Sequence, residues 1–309
     1  MSSNAAAHAH VRAPSTQLVV AIVALLCVVW GSTWIVISAG LRDLPPLTTA
    51  GARFLLSALI MSLIAPTLAK REGGDKPAFS AWFWVGLLNF AASYAIVYWS
   101  ETHLPSGLTS VLWSVYPILM AVSGSLFLSG EKIRTRQGVG FALGFAGVAL
   151  LFLTDLRSIS SDAVPAGLIL LISPLVSCVG TTILKKRGAK ASSILVNRNA
   201  MWLGAVILCA MALLFERDEP QAWSPRAIGS IVYLALIGTV LTFTLYFWLL
   251  RHVAAYRLSM IAYITPAIAL TLGTWIGREQ LTQWTVIGSL TILCGVALVV
   301  LRPRVLKSA

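Results

Sequence analysis

The sequence predicts an all-α integral membrane protein: ten transmembrane helices arranged as two inverted five-helix repeats, with N- and C-termini cytoplasmic. Three observations predict it. Of 309 residues, 58% are hydrophobic and only 11% are charged, with a mean hydropathy of +0.84, whereas a soluble domain carries about 25% charged residues. So few charges cannot cover a water-facing surface, and the solvent is lipid. Apolar runs of membrane-spanning length recur along the chain, and its second half echoes its first.

About twenty apolar residues cross the hydrocarbon of a bilayer. That ruler gives spans at 18–38, 47–66, 81–99, 106–127, 136–153, 165–184, 199–215, 227–249, 257–276 and 283–301. The runs are continuous, unlike the alternating segments of a β-barrel, and they lack the polar face of a buried soluble helix. Residues 1–17 read as a disordered cytoplasmic tail, and 302–309 as a basic one. A secretory signal would carry a short apolar core and a small-residue cleavage site. Leu18–Ser38 is instead long enough to span.

Lys and Arg in short loops set orientation. With the N-terminus inside, seventeen of them fall on the cytoplasmic side and five outside: Arg42, Arg157, Arg217, Arg226 and Arg278. The remaining one, Arg53, lies within a span. This distribution accounts for the formal charge of +12 and removes nucleic acid as a partner.

Shifting the sequence by 149 positions places Trp99 on Trp248, His103 on His252, Ser110 on Ser259 and Pro117 on Pro266. At a shift of 148, Glu131 meets Glu279, Gly140 meets Gly288, and Gly147–Leu150 meets Gly295–Leu298. The repeats are 18–153 and 165–301. Five spans each is an odd number, so the halves face opposite leaflets. Inverted repeats of this kind are typical of secondary transporters, in which two halves expose one midplane site to either side in turn.

The chain resembles the EamA family of the drug/metabolite transporter superfamily. The likeness is carried by Trp30-Gly31-Ser32-Thr33-Trp34 and Ala52-Arg53-Phe54. Pro117 followed by Gly130-Glu131, and the Gly140…Gly147 span, extend it. It implies a multi-pass carrier of the cell inner membrane, with a cavity formed mainly by spans 1, 3, 4, 6, 8 and 9. It further implies a small-molecule substrate, with efflux of amino acids or other small metabolites as the leading expectation and uptake or exchange as the alternative. One departure is Gly277-Arg278-Glu279, where the family usually reads Gly-Glu. That loosens a strict role for the second glutamate.

Amide, hydroxyl and aromatic groups inside a bundle can hold a small zwitterion or aromatic metabolite without burying a full charge. Candidates to line such a cavity are Trp30, Trp34, Asn89, Ser93, Tyr94, Trp113, Tyr116, Thr242, Tyr246 and Tyr263. The alternative is that the hydroxyls bond their own helices and the aromatics sit in interfacial belts. Trp99 and Trp248, near span ends, fit the belt. On span 1, Ala24, Cys27, Gly31 and Ser38 form a small-residue seam, with Trp30 and Trp34 beside it and Trp30 the deeper.

Pro117 and Pro266 lie at matched mid-span positions, where proline removes a donor and bends a helix. Arg53 is the one charge placed inside a span, and a charge there is a functional hypothesis with a partner to be named. By depth its acidic partners would be Asp43 or Glu101. No Asp or Glu lies mid-span. Glu101 and His103, at the outer end of span 3, and His252, at the inner end of span 8, are the candidates for ion coupling, and their positions read as loop. Gly138, Gly140, Gly144 and Gly147 put small residues where helices pack closely; the same stripe could serve a homodimer contact.

Other classes fit less well. An intramembrane enzyme would need a nucleophile–base pair or metal cluster within the bundle, and the sequence offers neither. Cys27, Cys178, Cys209 and Cys294 have no metal-ligand spacing, and neither metal nor cofactor is expected. A channel shares the architecture and is separated from a carrier only by kinetics.

Overall fold

The computed structural model describes residues 14–127, 135–153, 160–188, 190–259, 261–280 and 282–300. It is helical throughout: α1 Thr16–Gly40, α2 Pro46–Glu72, α3 Phe79–Glu101, α4 Ser106–Phe127, α5 Thr135–Leu153, α6 Ala163–Arg187, α7 Ser193–Phe215 and α8 Pro225–His252. A helical turn, Ala255–Leu258, leads into α9 Ile261–Trp275, and α10 is Gln283–Val300. Among the described residues the only β-type pairing is one isolated bridge, between Asp75 and Ala191. Seven of these helices are long and apolar enough to cross a membrane: α1 to α4 and α6 to α8. The other three expected spans fall on α5, α9 and α10.

Local chemistry fixes the helix ends. Ser15, Ser192 and Ser224 accept from the amides of Leu18, Leu195 and Ala227 in the first turns of α1, α7 and α8, removing orphan donors that a helix start otherwise leaves. Pro46 and Pro225 occupy first positions, where the missing N–H costs nothing.

The two halves are fastened by reciprocal contacts. Glu72, ending α2, accepts from the Ser192 and Ser193 hydroxyls and the Ile194 amide at the start of α7. Glu216, just past α7, accepts from the amides of Leu47 and Thr48 at 2.7 and 2.6 Å at the start of α2. The pair is therefore antiparallel, and each helix caps the other's positive end. Gly51 permits the close approach: a Cβ there would sit 3.2 Å from the Cys209 backbone nitrogen.

The pair α5–α10 repeats the device with glycine. A Cβ on Gly147 would lie 2.8 Å from the Gly288 carbonyl, and one on Gly295 2.5 Å from the Gly140 carbonyl. Gly140, Gly144 and Gly147 are thus buried within the chain, with Gly140 and Gly147 against the helix's own repeat mate, whereas Gly138 is exposed.

Of the seam on α1, Cys27 and Gly31 are buried, Ser38 is half-buried and Ala24 is exposed. A Cβ on Gly31 would meet the Ile268 side chain of α9 at 2.7 Å.

Two stretches wind as π-helix, Val85–Ala92 in α3 and Leu236–Leu241 in α8. Leu236–Leu241 is what the 149-residue shift assigns to the second part of the α3 stretch. An extra residue per turn misaligns the ladder and frees backbone groups, and such bulges concentrate at functional sites. Prolines interrupt two helices. Residues 114–115 break the α-helix of α4 just before Pro117, and Leu171 breaks α6 just before Pro174. Pro266 lies inside the continuous run of α9.

Candidate functional site: an aromatic cavity between the repeats

The helices α1, α3, α4, α6, α8 and α9 enclose a cavity with a volume of about 120 Å3. A water needs about 10–15 Å3 of such space, so it holds a ligand of roughly ten non-hydrogen atoms. Eight of the ten sequence candidates line it: Trp30, Trp34, Asn89, Ser93, Tyr94, Trp113, Tyr116 and Tyr246. Thr242 does not. It is fully buried and donates to the Gly238 carbonyl of its own helix at 2.8 Å, as a hydroxyl in a membrane helix often does. Tyr263 is on α9, with its side chain outside the described residues.

The aromatic wall has two parts. Trp30 packs on Phe243 and Tyr246 at centroid distances of 5.5 and 5.3 Å. Trp113 stacks on Tyr116 at 4.8 Å and faces Trp34 at 6.4 Å. Trp30 comes from the first repeat and its two partners from the second, so the indole spans their junction. Its Nε1 is buried and has no hydrogen-bond partner among the described residues. A buried donor left unpaired costs free energy, and a ligand acceptor in the cavity would satisfy it.

The polar wall is a network across α3, α4, α6 and α8. Ser93 and Ser173 hydroxyls are 2.8 Å apart, and Ser177 donates to Ser93 at 2.9 Å. Ser173 also receives the Trp113 indole N–H at 3.0 Å. Asn89, on the π-helical stretch, donates to the Ser177 carbonyl and to Thr181 at 3.1 and 3.0 Å. Tyr116 reaches Thr181 at 3.1 Å and Tyr246 at 3.5 Å. Gly180 makes room for Asn89: a Cβ there would lie 1.8 Å from Oδ1. Sequence reasoning missed the α6 members. Their signal was present, since Ser173, Ser177 and Thr181 recur every fourth residue on one face. Among the described residues no charged side chain lines the cavity.

Arg53 sits behind the cavity, 1% exposed, so it does not snorkel to the membrane surface. Its Nε donates to Thr239 at 2.7 Å, Nη1 to the Tyr98 hydroxyl at 3.2 Å, and Nη2 to the Gly238 carbonyl at 3.1 Å and the Tyr94 hydroxyl at 3.5 Å. Its guanidinium carbon also lies 4.7 Å from the Tyr94 ring centroid, a cation–π distance. None of these partners is acidic. Asp43, one expected partner, instead pairs with Arg226, whose Nε lies 2.8 Å from Oδ2. The Arg226 and Ser224 hydrogen bonds hold the Asp43 carboxyl down at about 2.

Glu101 is the buried last residue of α3 rather than a loop residue. His103 is half-buried, with its ring on Trp99 at 4.5 Å and Nδ1 3.1 Å from the Trp99 carbonyl. The repeat mates do the same: the His252 ring lies 4.7 Å from Trp248 and its Nδ1 2.8 Å from the Trp248 carbonyl. Glu279 holds the start of α4. It accepts from the Ser106 amide and hydroxyl at 2.8 and 2.6 Å and from the Gly107 amide at 3.0 Å. The inserted Arg278, at φ 56°, turns the chain so that the carboxylate still reaches that helix. Glu131, its repeat mate, lies outside the described residues.

The model of the EamA-like transporter family matches residues 17–153 and again 165–301. Relatives share about a quarter of the sequence over nearly the whole chain. An uncharacterized transporter of Bacillus subtilis, YoaV, is 28% identical over 268 residues, 87% of this chain and 91% of its own. The uncharacterized inner membrane transporter YedA of Escherichia coli is 28% identical over 279 residues, covering 89% and 88%. Protein PagO of Salmonella typhimurium is 25% identical over 276 residues, covering 89% and 90%. A solved crystal structure superposes with a TM-score of 0.68 at 18% identity, over 92% of this chain and 98% of that one, a likeness of fold.

Proposed function

The chain belongs to the EamA-like transporter family, and from that premise we propose that it exports amino acids or other small metabolites by alternating access. It is a multi-pass protein of the cell inner membrane. In the proposed topology ten spans run as two inverted repeats with both ends cytoplasmic. The observation that carries the reading is the cavity at the repeat junction, walled by helices of both halves. A site built at such a junction can be exposed to one side or the other as the halves rock.

The lining describes the cargo. Stacked aromatics and a hydroxyl–amide network without formal charge suit a small metabolite whose charges balance. The free Trp30 N–H supplies a donor for a carboxylate or carbonyl oxygen.

Purified protein is screened by thermal shift against amino acids, aromatics and nucleosides, and the hits are tested by counterflow in proteoliposomes. Labelled substrate is expected to accumulate transiently against unlabelled substrate. Tyr94→Ala and Trp113→Ala are expected to abolish the shift. Flux without trans-acceleration would make the protein a channel, and a hit indifferent to both substitutions would remove the cavity as the site. Uptake into everted vesicles reads the export direction.

A further inference from the structure

We propose that Glu101 is a proton-binding site, and that its proton controls the Arg53 clamp which joins the cavity wall to the second repeat. This rests on the carrier reading above and adds the ion to which movement is coupled.

Glu101 is 7% exposed, and neither carboxyl oxygen has a hydrogen-bond partner among the described residues. The acidic side chains that cap helices are fully engaged: buried Glu216 accepts from the start of α2, and the part-buried Glu72 and Glu279 do the same for α7 and α4. Glu101 caps nothing. Two more buried oxygens beside it in sequence or on the next helix, Ser100 Oγ and Ser110 Oγ, are also unpartnered. Carboxyls buried at membrane depth without a structural partner are where carriers take up and release protons.

The charged groups that face it are Arg53 of α2 and Glu279 of the turn after α9, and Tyr98 lies one turn back on its own helix. His103 is two residues on but turned to Trp99. The adjoining parts of α4, Ser106–Trp113, and of α6, Ala163–Leu170, bring no titratable side chain, and neither does the outer half of α1.

The consequence lies with Arg53. All its contacts are with neutral groups, and they tie three things together: Tyr94 of the cavity wall, Tyr98 one turn from Glu101, and the π-helical Gly238 and Thr239 of the second repeat. A protonated Glu101 leaves this clamp undisturbed. An ionised Glu101 pulls the guanidinium towards itself and away from Gly238 and Thr239, loosening the tie between the halves. The proton comes from water on one side, forms an O–H on the carboxylate, and returns to water after the cavity has changed sides. No other bond changes.

The test reads the protein without substrate. Purified protein in liposomes is perfused alternately with acid and alkaline buffer, and infrared difference spectra record the C=O stretch of protonated carboxyls. Wild type is expected to show a titrating band that Glu101→Gln loses, and that Arg53→Lys displaces. An identical difference spectrum in Glu101→Gln overturns the assignment; a band unmoved by Arg53→Lys overturns the link to the clamp. If Glu101→Gln does not fold, Glu101→Asp must shift the band, and an unshifted band overturns the proposal equally. Because no substrate is present, failure here leaves the carrier reading standing, while absent counterflow leaves this titration standing.

Discussion

Removing Glu216 should cost a large share of the protein's stability although the residue touches no cavity. Its carboxylate is 5% exposed and accepts three hydrogen bonds, from the Leu47 and Thr48 amides and the Thr48 hydroxyl. Bonds to a charged acceptor contribute roughly 1.5–3 kcal/mol each when water is excluded, and charge at a helix start adds about 0.5 kcal/mol. The α2 start lies at an end of the helix where water can replace part of this. Glu216→Ala is therefore expected to lose about 3 kcal/mol, against a total of roughly 5–15 kcal/mol for a folded domain. Glu216→Gln keeps one acceptor oxygen and should lose about half of that.

Glu72→Ala removes the matching cap at the other end, together with the 2.8 Å ion pair to Arg251, and should cost as much. Thr48 and Glu72 are separated by about 36 Å along the helix at 1.5 Å per residue, so the two losses should add within about 0.5 kcal/mol. Unfolding in mixed micelles, followed by tryptophan fluorescence, measures all four proteins. A Glu216→Ala loss below about 1 kcal/mol, or a double variant no worse than the worse single one, would refute the reciprocal-cap argument.

Three further outcomes follow from the geometry. Gly180→Ala must displace Asn89, losing its two donated bonds and about 2 kcal/mol, and should abolish any ligand-induced thermal shift. Gly138→Ala, with nothing within 4 Å, is its silent control in the same assay. Gly295→Ala drives a methyl into the Gly140 and Gly144 backbone, which cannot yield as a side chain can, so unfolding should shift by about 2 kcal/mol or more. The Asp43 carboxyl is lowered from 3.8 to about 2 by its hydrogen bonds to Arg226 and Ser224. A depressed folded value contributes stability that is fully present above pH 3.8 and lost as pH falls towards 2. The stability difference between wild type and Asp43→Asn should thus be flat near neutrality and shrink in acid; a difference that grows in acid would contradict the sign.

The sequence made some of this legible for a physical reason. Bulky aromatics and a lone amide inside apolar runs stand out, so Trp30, Asn89, Tyr94 and Trp113 could be nominated before any coordinates. The partners of Arg53 could not. Thr239 and Gly238 lie far along the chain and face the guanidinium through a π-helical stretch that hydropathy does not register. Depth alone suggested Asp43, but Arg226, a surface residue one loop away in space, had the first claim on it. Ser173 and Ser177 were passed over because a hydroxyl in a membrane helix usually satisfies itself on its own backbone. Glu279 looked displaced by the inserted Arg278, and only the positive φ of that residue shows how the register is recovered.

The glycine crossing of α5 and α10 also has a bearing on how the protein is made. The stripe on α5 is synthesised before α6 to α9, and its partner α10 only after them. Throughout that interval Gly140, Gly144 and Gly147 lie against lipid or whatever the insertion machinery offers. Chains truncated before α10 would carry that bare stripe permanently, which makes it a mark by which quality control can tell them from chains that contain α10.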